Sequence, residues 1–353
     1  MLLLLACASP SADDTASEPG VDGLSFPIDA PGPYGVGYRT WEVTYTPGPG
    51  IPDRTVVVSL WYPTETSTGD QVNDTMGFIL TDTRGDAPLA DPAYGGTYPV
   101  VVHSHGYQGW SGNSAFLWHH LATHGWVVVV PDHTDNTLFG AVDPLPAAHY
   151  FERPLDIRAA LDSLSEQVPD ADPSRVLLTG HSFGAYTTWA AGGASYDIAA
   201  VQARCDAGEI GDGSCTEAER AMYASDLSDD RVVATMPMAG GYDTAWFGET
   251  GYRSIQGPAF LMSGSEDDVG DQEVWDRMTD IPLTWIDVAG GCHQTFGIGG
   301  CGGLDDTTGW SIVETYALAY ARAQVLGDDT PAVLGVLDGS QVVSDLVTFQ
   351  RRP

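Results

Sequence analysis

The chain contains no lysine: its 14 basic residues are all arginine, against 48 acidic ones, for a net charge of −34 over 353 residues. Without lysine there is no Schiff-base chemistry and no phosphate loop of the kind that needs a lysine beside its glycines. The shortage of cations also argues against nucleic acid and anionic lipid surfaces as partners, since both are gripped by clustered Lys and Arg. No apolar run approaches the ~20 residues that span a bilayer as a helix. Cysteine is scarce, five in all, and no internal repeat is visible. Hydrophobic residues, at 43%, are ample for a large core.

One cysteine lies near the start. Met1-Leu-Leu-Leu-Leu-Ala-Cys7 is too short for a secretory signal, which needs a charged start and a 7–15-residue apolar run. Leu4-Leu5-Ala6-Cys7 is nonetheless similar to a bacterial lipobox, where cleavage leaves the cysteine lipidated. Residues 1–7 are therefore expected to be a signal remnant with the true start upstream. Residues 8–30, small, polar and acidic, read as a flexible tether. The expected location is outside the cytoplasm, either anchored at the outer membrane through Cys7 or secreted. The other cysteines form two local pairs, Cys205 with Cys215 and Cys292 with Cys301, read as disulfides. Neither pair has the tight spacing of a zinc site, so no metal is expected there. Asp206, Glu209 and Asp212 offer oxygens for calcium but miss the EF-hand spacing, and a solvated acidic loop is the expectation.

Along the chain, β-rich segments at 39–46 and 54–62 precede a Thr/Gly/Asp/Pro-rich excursion at 63–97. Then short apolar runs alternate with helical patterns. Strands are expected at 99–103, 125–131, 175–179, 232–238, 258–263 and 283–288, with helices at 114–124, 152–167, 183–192 and 310–326. Unbroken β-branched runs such as Val127–Val130 mark strands buried on both faces. Alternation of this kind implies a mostly parallel sheet flanked by helices on both faces. A single α/β domain over 31–353 follows, with a second excursion near 201–230, and the chain is expected to be a monomer.

Gly180-His181-Ser182-Phe183-Gly184 falls between a predicted strand and a predicted helix. A nucleophile elbow needs that sharp turn, with glycines where backbones pass closely. Ser182 would stand above the sheet at a helix N-terminus, whose free N–H groups favour developing negative charge. A serine hydroxyl needs a base, usually a histidine oriented by a carboxylate. His293 is the one histidine beyond the elbow, in a loop after a predicted strand. The acid is Asp267 on a Gly-x-x-Asp-x-Val reading of residues 264–269, with Asp268 and then Asp243 as alternatives. For the oxyanion, the N–H of Phe183 is one donor and that of Tyr107, after Gly106, the other. His103, His105 and the Asp132-His133 pair read as loop braces rather than metal ligands. Tyr107, Trp110, Trp246 and Phe247 are candidates to stack on a substrate ring, line an acyl pocket or fill the core.

Leu60-Trp-Tyr-Pro63, Ser104-His-Gly-Tyr107, Gly180–Gly184 and His293-Gln-Thr-Phe296 together resemble the α/β-hydrolases, and within them the platelet-activating-factor acetylhydrolase-like serine esterases. The likeness runs from about 38 to 325. It implies Ser182 as nucleophile, His293 as base, donors at Tyr107 and Phe183, no cofactor, and short-chain or lipid-like ester substrates. Met236–Gly240 lacks the acid that the vertebrate secreted members carry there. Gly264–Val269 is instead similar to dienelactone hydrolases and bacterial cutinases, which brings polyethylene terephthalate-type polyesters into view. A reading of another class is a surface binding lipoprotein on a retired hydrolase fold. The acidic surface favours neutral or zwitterionic esters over anionic ones. The lipobox reading is checked by intact-mass analysis of the protein from its native host. A lipid-sized increment on Cys7 is expected, and an unmodified cysteine would refute it.

Overall fold

The computed structural model describes residues 22–211, 213 and 215–353. One 11-stranded sheet organises them. Two long strands, β1 (Gly35–Tyr45) and β2 (Arg54–Thr64), pair antiparallel along their whole length. A small hairpin, β3 (Gln71–Asn73) and β4 (Ile79–Gly85), adds to the free edge of β1. The alternating part follows: β5 (Tyr98–Ser104), α1 (Ala115–Thr123), β6 (Val127–Asp132), α2 (His149–Gln167), β7 (Ala171–His181) and α3 (Phe183–Ala191). Then come α4 (Ile198–Ala207), α5 (Glu217–Met222), β8 (Val232–Met238), α6 (Thr244–Phe247), β9 (Ala259–Gly264), α7 (Asp271–Arg277) and β10 (Leu283–Val288). The chain ends with α8 (Asp306–Ala321), α9 (Pro331–Leu337) and β11 (Val347–Arg352).

The strand order is β11-β10-β9-β8-β7-β5-β6-β2-β1-β4-β3, and β5 to β10 run parallel. β5 has β6 on one side and β7 on the other, so the connections leaving β5 and β7 diverge. Open α/β sheets form their ligand crevice at such a switch point, beyond the carboxyl ends of the strands.

The valine runs bury both faces, as the period of two requires. Val128 and Val130 join the cluster of Leu117, Trp118 and Leu121 from α1 and Val313 and Tyr316 from α8. Val127 and Val129 join Ile157, Leu161 and Leu164 from α2 on the other face. Pro154 sits inside α2 and cannot donate to the Tyr150 carbonyl four residues back. The Tyr186 and Tyr196 hydroxyls donate to that carbonyl instead, at 2.9 and 3.3 Å.

Several boundaries differ from expectation. The packed chain begins before residue 31. Ile28 is in the core, Arg322 donates to the Phe26 carbonyl at 2.8 Å, and His124 donates to the Ala30 carbonyl at 2.9 Å. The tether reading therefore fails for 22–30, and its remainder, with Cys7, lies outside the described residues. The 63–97 excursion contains the β3–β4 hairpin, and the 201–230 excursion contains most of α4 and all of α5, with the Cys205–Cys215 disulfide formed. Asp206 pairs with Arg220 at 2.8 Å, and the described residues contain no cluster of three metal-ligating side chains. Asp212 lies outside the described residues. None of the described helices is long and apolar enough to cross a membrane.

Burial reaches the histidines. His103, His105, His119, His120, His124, His133, His149 and His181 are all pulled below the ordinary imidazole range, first of all by desolvation. A depressed folded-state value gives stability that is present above the unfolded value of ~6.5 and lost as pH falls below it. Asp132, Glu152, Asp271 and Glu314 act in the opposite sense. Burial raises them to about 6, 7, 7 and 7, so their stabilisation is lost as pH rises through that range. Eight rings outweigh four carboxyls, so the thermal midpoint should drop steeply between pH 7 and pH 5. A midpoint equal at both pH values would show that the rings protonate without leaving the fold.

Candidate active site

β7 delivers the elbow. Its last residue, His181, is followed by Ser182 at φ 56° and ψ −117°, and α3 starts at Phe183. This strained geometry is held from both sides. The Ser182 N–H donates to Met238 O at 2.9 Å, at the end of neighbouring β8. Gly184 faces β5 so closely that a Cβ on it would lie 1.8 Å from the Ser104 carbonyl oxygen, which only glycine tolerates. The elbow is thereby pressed against the strand end that leads to Tyr107.

Asp267 and His293 follow adjacent parallel strands, β9 and β10, paired in register up to Gly264–Val288. Their exit loops are stitched together: Ser265 N donates to Val288 O at 3.0 Å and Glu266 N to Gly291 O at 2.8 Å. Gly264 allows this approach, since a Cβ there would lie 2.4 Å from the Gly291 carbonyl carbon. Asp267 and His293 consequently meet, with His293 Nδ1 donating to Asp267 Oδ2 at 2.8 Å. In the neutral ring, that bond puts the proton on Nδ1 and the lone pair on Nε2. The Cys292–Cys301 disulfide closes the loop that carries His293, and His181 Nε2 donates to the His293 carbonyl at 2.9 Å.

Ser182, His293, His181 and Tyr107 line one open cleft of about 410 Å³, together with Trp110 and Leu138. Among the described residues, Ser182 Oγ has no hydrogen-bond partner, and the N–H groups of Tyr107 and Phe183 donate to no protein acceptor. Catalytic contacts of this kind often tighten only around a substrate. Gly106 allows the turn into Tyr107, closed by a Gly109 N to Gly106 O bond of 3.1 Å. Of the alternative acids, Asp268 is exposed, and Asp243 caps α6 by accepting from Ala245 N at 2.9 Å. Trp246 and Phe247 are core residues away from the cleft, whereas Tyr107 and Trp110 border it.

The brace reading of the histidines has a definite geometry. His103 Nδ1 bonds Thr179 Oγ1 at 2.8 Å. His105 Nδ1 donates to Gly106 O at 2.8 Å, and its Nε2 accepts the His133 N–H at 2.9 Å. His133 Nδ1 donates to Asp156 Oδ2 at 2.8 Å, while its Nε2 accepts from Ser104 Oγ at 2.9 Å. Asp132 accepts the Ser111 N–H at 2.6 Å.

The sequence reading missed the centre of this network, Arg153 of α2. Fully buried, it donates from Nη2 to Ser104 Oγ at 2.9 Å and to the His105 carbonyl. It also donates from Nη1 to Asn136 Oδ1 and from Nε to Thr187 Oγ1, both at 3.0 Å. Its guanidinium lies 4.4 Å from the centre of the Phe183 ring. Burial first, and then Arg54, pull it down to about 9, still charged at neutral pH. An arginine between Glu152 and Pro154 looks like an ordinary helix-surface charge, so no sequence signal marked it.

A family model described as Chlorophyllase matches residues 85–201, the stretch from β4 through the elbow to the start of α4. No curated protein matches the chain. Among solved structures, a ferulic acid esterase from Streptomyces cinnamoneus is similar, with a TM-score of 0.60 and 20% identity over 91% of this chain and 98% of that one. The fold is the α/β-hydrolase fold.

The carboxylate assignment is checked by three single substitutions. Asp267→Asn is expected to lower kcat by about 10⁴-fold, the scale seen when a triad carboxylate loses its charge. Asp268→Asn and Asp243→Asn are expected to stay within a few-fold of the parent. Equal losses in all three would remove Asp267 from its role.

Proposed function

We propose that the protein is a serine carboxylic-ester hydrolase, working without a cofactor. The observation that carries this is the His293–Asp267 bond of 2.8 Å in a loop that shares a cleft with Ser182 on its elbow. The chlorophyllase-family match and the esterase neighbour support the same class.

In this reading His293 Nε2 takes the Ser182 proton as Oγ attacks the ester carbonyl carbon. The carbonyl oxygen becomes an oxyanion between the Tyr107 and Phe183 N–H groups, where fixed donors stabilise it without reorganising. Collapse breaks the bond to the alcohol oxygen, which receives its proton from His293. Water then loses a proton to His293, attacks the acyl-enzyme and releases the acid, returning the proton to Ser182. Asp267 holds the imidazole in the working tautomer and stabilises its cation.

The substrates proposed are uncharged or zwitterionic esters, short-chain or lipid-like, since a chain of net charge −34 repels anions. A polyesterase reading is favoured by one feature, the Phe78 ring stacked on Trp110 at 5.1 Å at the edge of the cleft, a surface suited to an aromatic polymer unit. The two disulfides support an oxidising, extracytoplasmic location, with anchoring through Cys7 part of the proposal. We take the working form to be a monomer.

A fluorophosphonate probe should label the protein at Ser182 and fail to label Ser182→Ala. An unlabelled parent with no turnover of short p-nitrophenyl esters would favour a binding module on this fold.

A further inference from the structure

A second depression, of about 360 Å³, lies directly beside the catalytic cleft. The two share Ile298, which lines both. Ile298 belongs to the loop closed by Cys292–Cys301, so the saddle between the depressions is fixed by the same covalent ring that holds His293.

The walls of the second depression come from distant parts of the chain and are mixed, with Ile79, Leu80, Phe116, Ile298 and Trp310 as the apolar part. Phe116 of α1 and Trp310 of α8 stack face to face, with centroids 4.8 Å apart and planes 10° from parallel. Ile79 of β4, 63% exposed, lines the same depression. Leaving an isoleucine in water at a groove wall is unfavourable unless something covers it. Among the described residues, four of the ten exposed large apolar side chains, Ile79, Tyr107, Leu138 and Ile298, line these two depressions, and a fifth, Phe78, stacks on Trp110 at the cleft edge. The groove also contains Asp82, Glu314 and His119, whose ring burial holds below the ordinary imidazole range, and no arginine. An apolar chain would fit there, and a chain ending in a carboxylate would be repelled.

We propose that this groove is a subsite for a long apolar substituent of the ester, reached across Ile298, and that extended esters without an anionic end are the substrate class. The proposal rests on the esterase reading above. Together the two depressions fall in the size range of a working ligand site, which runs from roughly 300 to 1,000 Å³. Each methylene that leaves water for the groove is worth up to about fourfold in binding, so long chains should be strongly favoured over short ones.

The test uses Ile79→Asp, at a position exposed enough to spare the fold, and Phe116→Ala. One arm compares kcat/KM for p-nitrophenyl decanoate and butanoate, and the other compares decyl and ethyl acetate. In each variant the long-to-short ratio is expected to fall at least tenfold in one arm, and that arm tells whether acyl chain or alcohol occupies the groove. Ratios within twofold of the parent in both arms would overturn the proposal. Binding of decyl methyl ether to Ser182→Ala, measured by calorimetry with and without Ile79→Asp, reads the groove without turnover. If the parent hydrolyses no ester, the esterase reading falls. The ether then decides the groove on its own: binding lost in Ile79→Asp upholds it, and equal binding refutes it.

Discussion

A guanidinium buried without a directly bonded carboxylate is costly, and its donors have to be satisfied one by one. Arg153 meets that demand by drawing together the strand end before Tyr107, the loop after β6 and the first turns of α3. The elbow, the proposed oxyanion loop and the cleft wall all hang from this one side chain. Asp156, one turn further along α2, extends the network by bonding His133 at 2.8 Å and Arg54 at 2.8 and 3.0 Å. Neutral imidazoles fit here because each ring can donate from one nitrogen and accept at the other, which relays polarity through a dry interior without adding charge.

The sheet supplies the remaining constraint. Parallel strands bring their carboxyl ends to one edge, and the divergence of the chain around β5 opens the crevice there. Asp267 and His293 follow neighbouring paired strands, and the hydrogen bonds and disulfide of their exit loops bring the two side chains together. Glycine at the crossing points lets backbones touch where any side chain would hold them apart. The many surface acids take no part in this construction. They sit mainly on loops and caps, where aspartate suits the turn chemistry.

Much of this was legible in the sequence, for identifiable reasons. The valine runs had no partner period except a doubly covered strand, and the Gly-His-Ser-Phe-Gly turn was framed by a strand and a helix. Asp267 followed a predicted strand end at a recognisable spacing. What escaped notice depended on tertiary packing. Arg153 becomes special only once α2 lies against β5 and α3. The β11 strand pairs at the sheet edge through residues such as Thr348, Gln350 and Arg351, too polar to stand out. α8 begins at Asp306 rather than Trp310 because Asp305 caps it, accepting from Thr308 N at 3.0 Å. The β3–β4 hairpin is short and exposed, and its worth lies in what it holds: Asp74 accepts from Trp110 Nε1 at 2.6 Å, and Phe78 covers the same indole.

The loop from Cys292 to Cys301 carries both His293 and Ile298, which line the same cleft. Its glycines, three between the two cysteines and Gly302 and Gly303 just beyond, leave that stretch little stiffness of its own. Its shape comes from the Cys292–Cys301 closure together with the buried Phe296, whose carbonyl accepts from Ser114 Oγ at 2.7 Å. A chain folded in reducing surroundings would possess the sheet, the elbow and the buried network, yet have its imidazole on an unclosed segment. Loss of that one bond would thus loosen the stretch around His293 and Ile298 while leaving the rest of the domain in place.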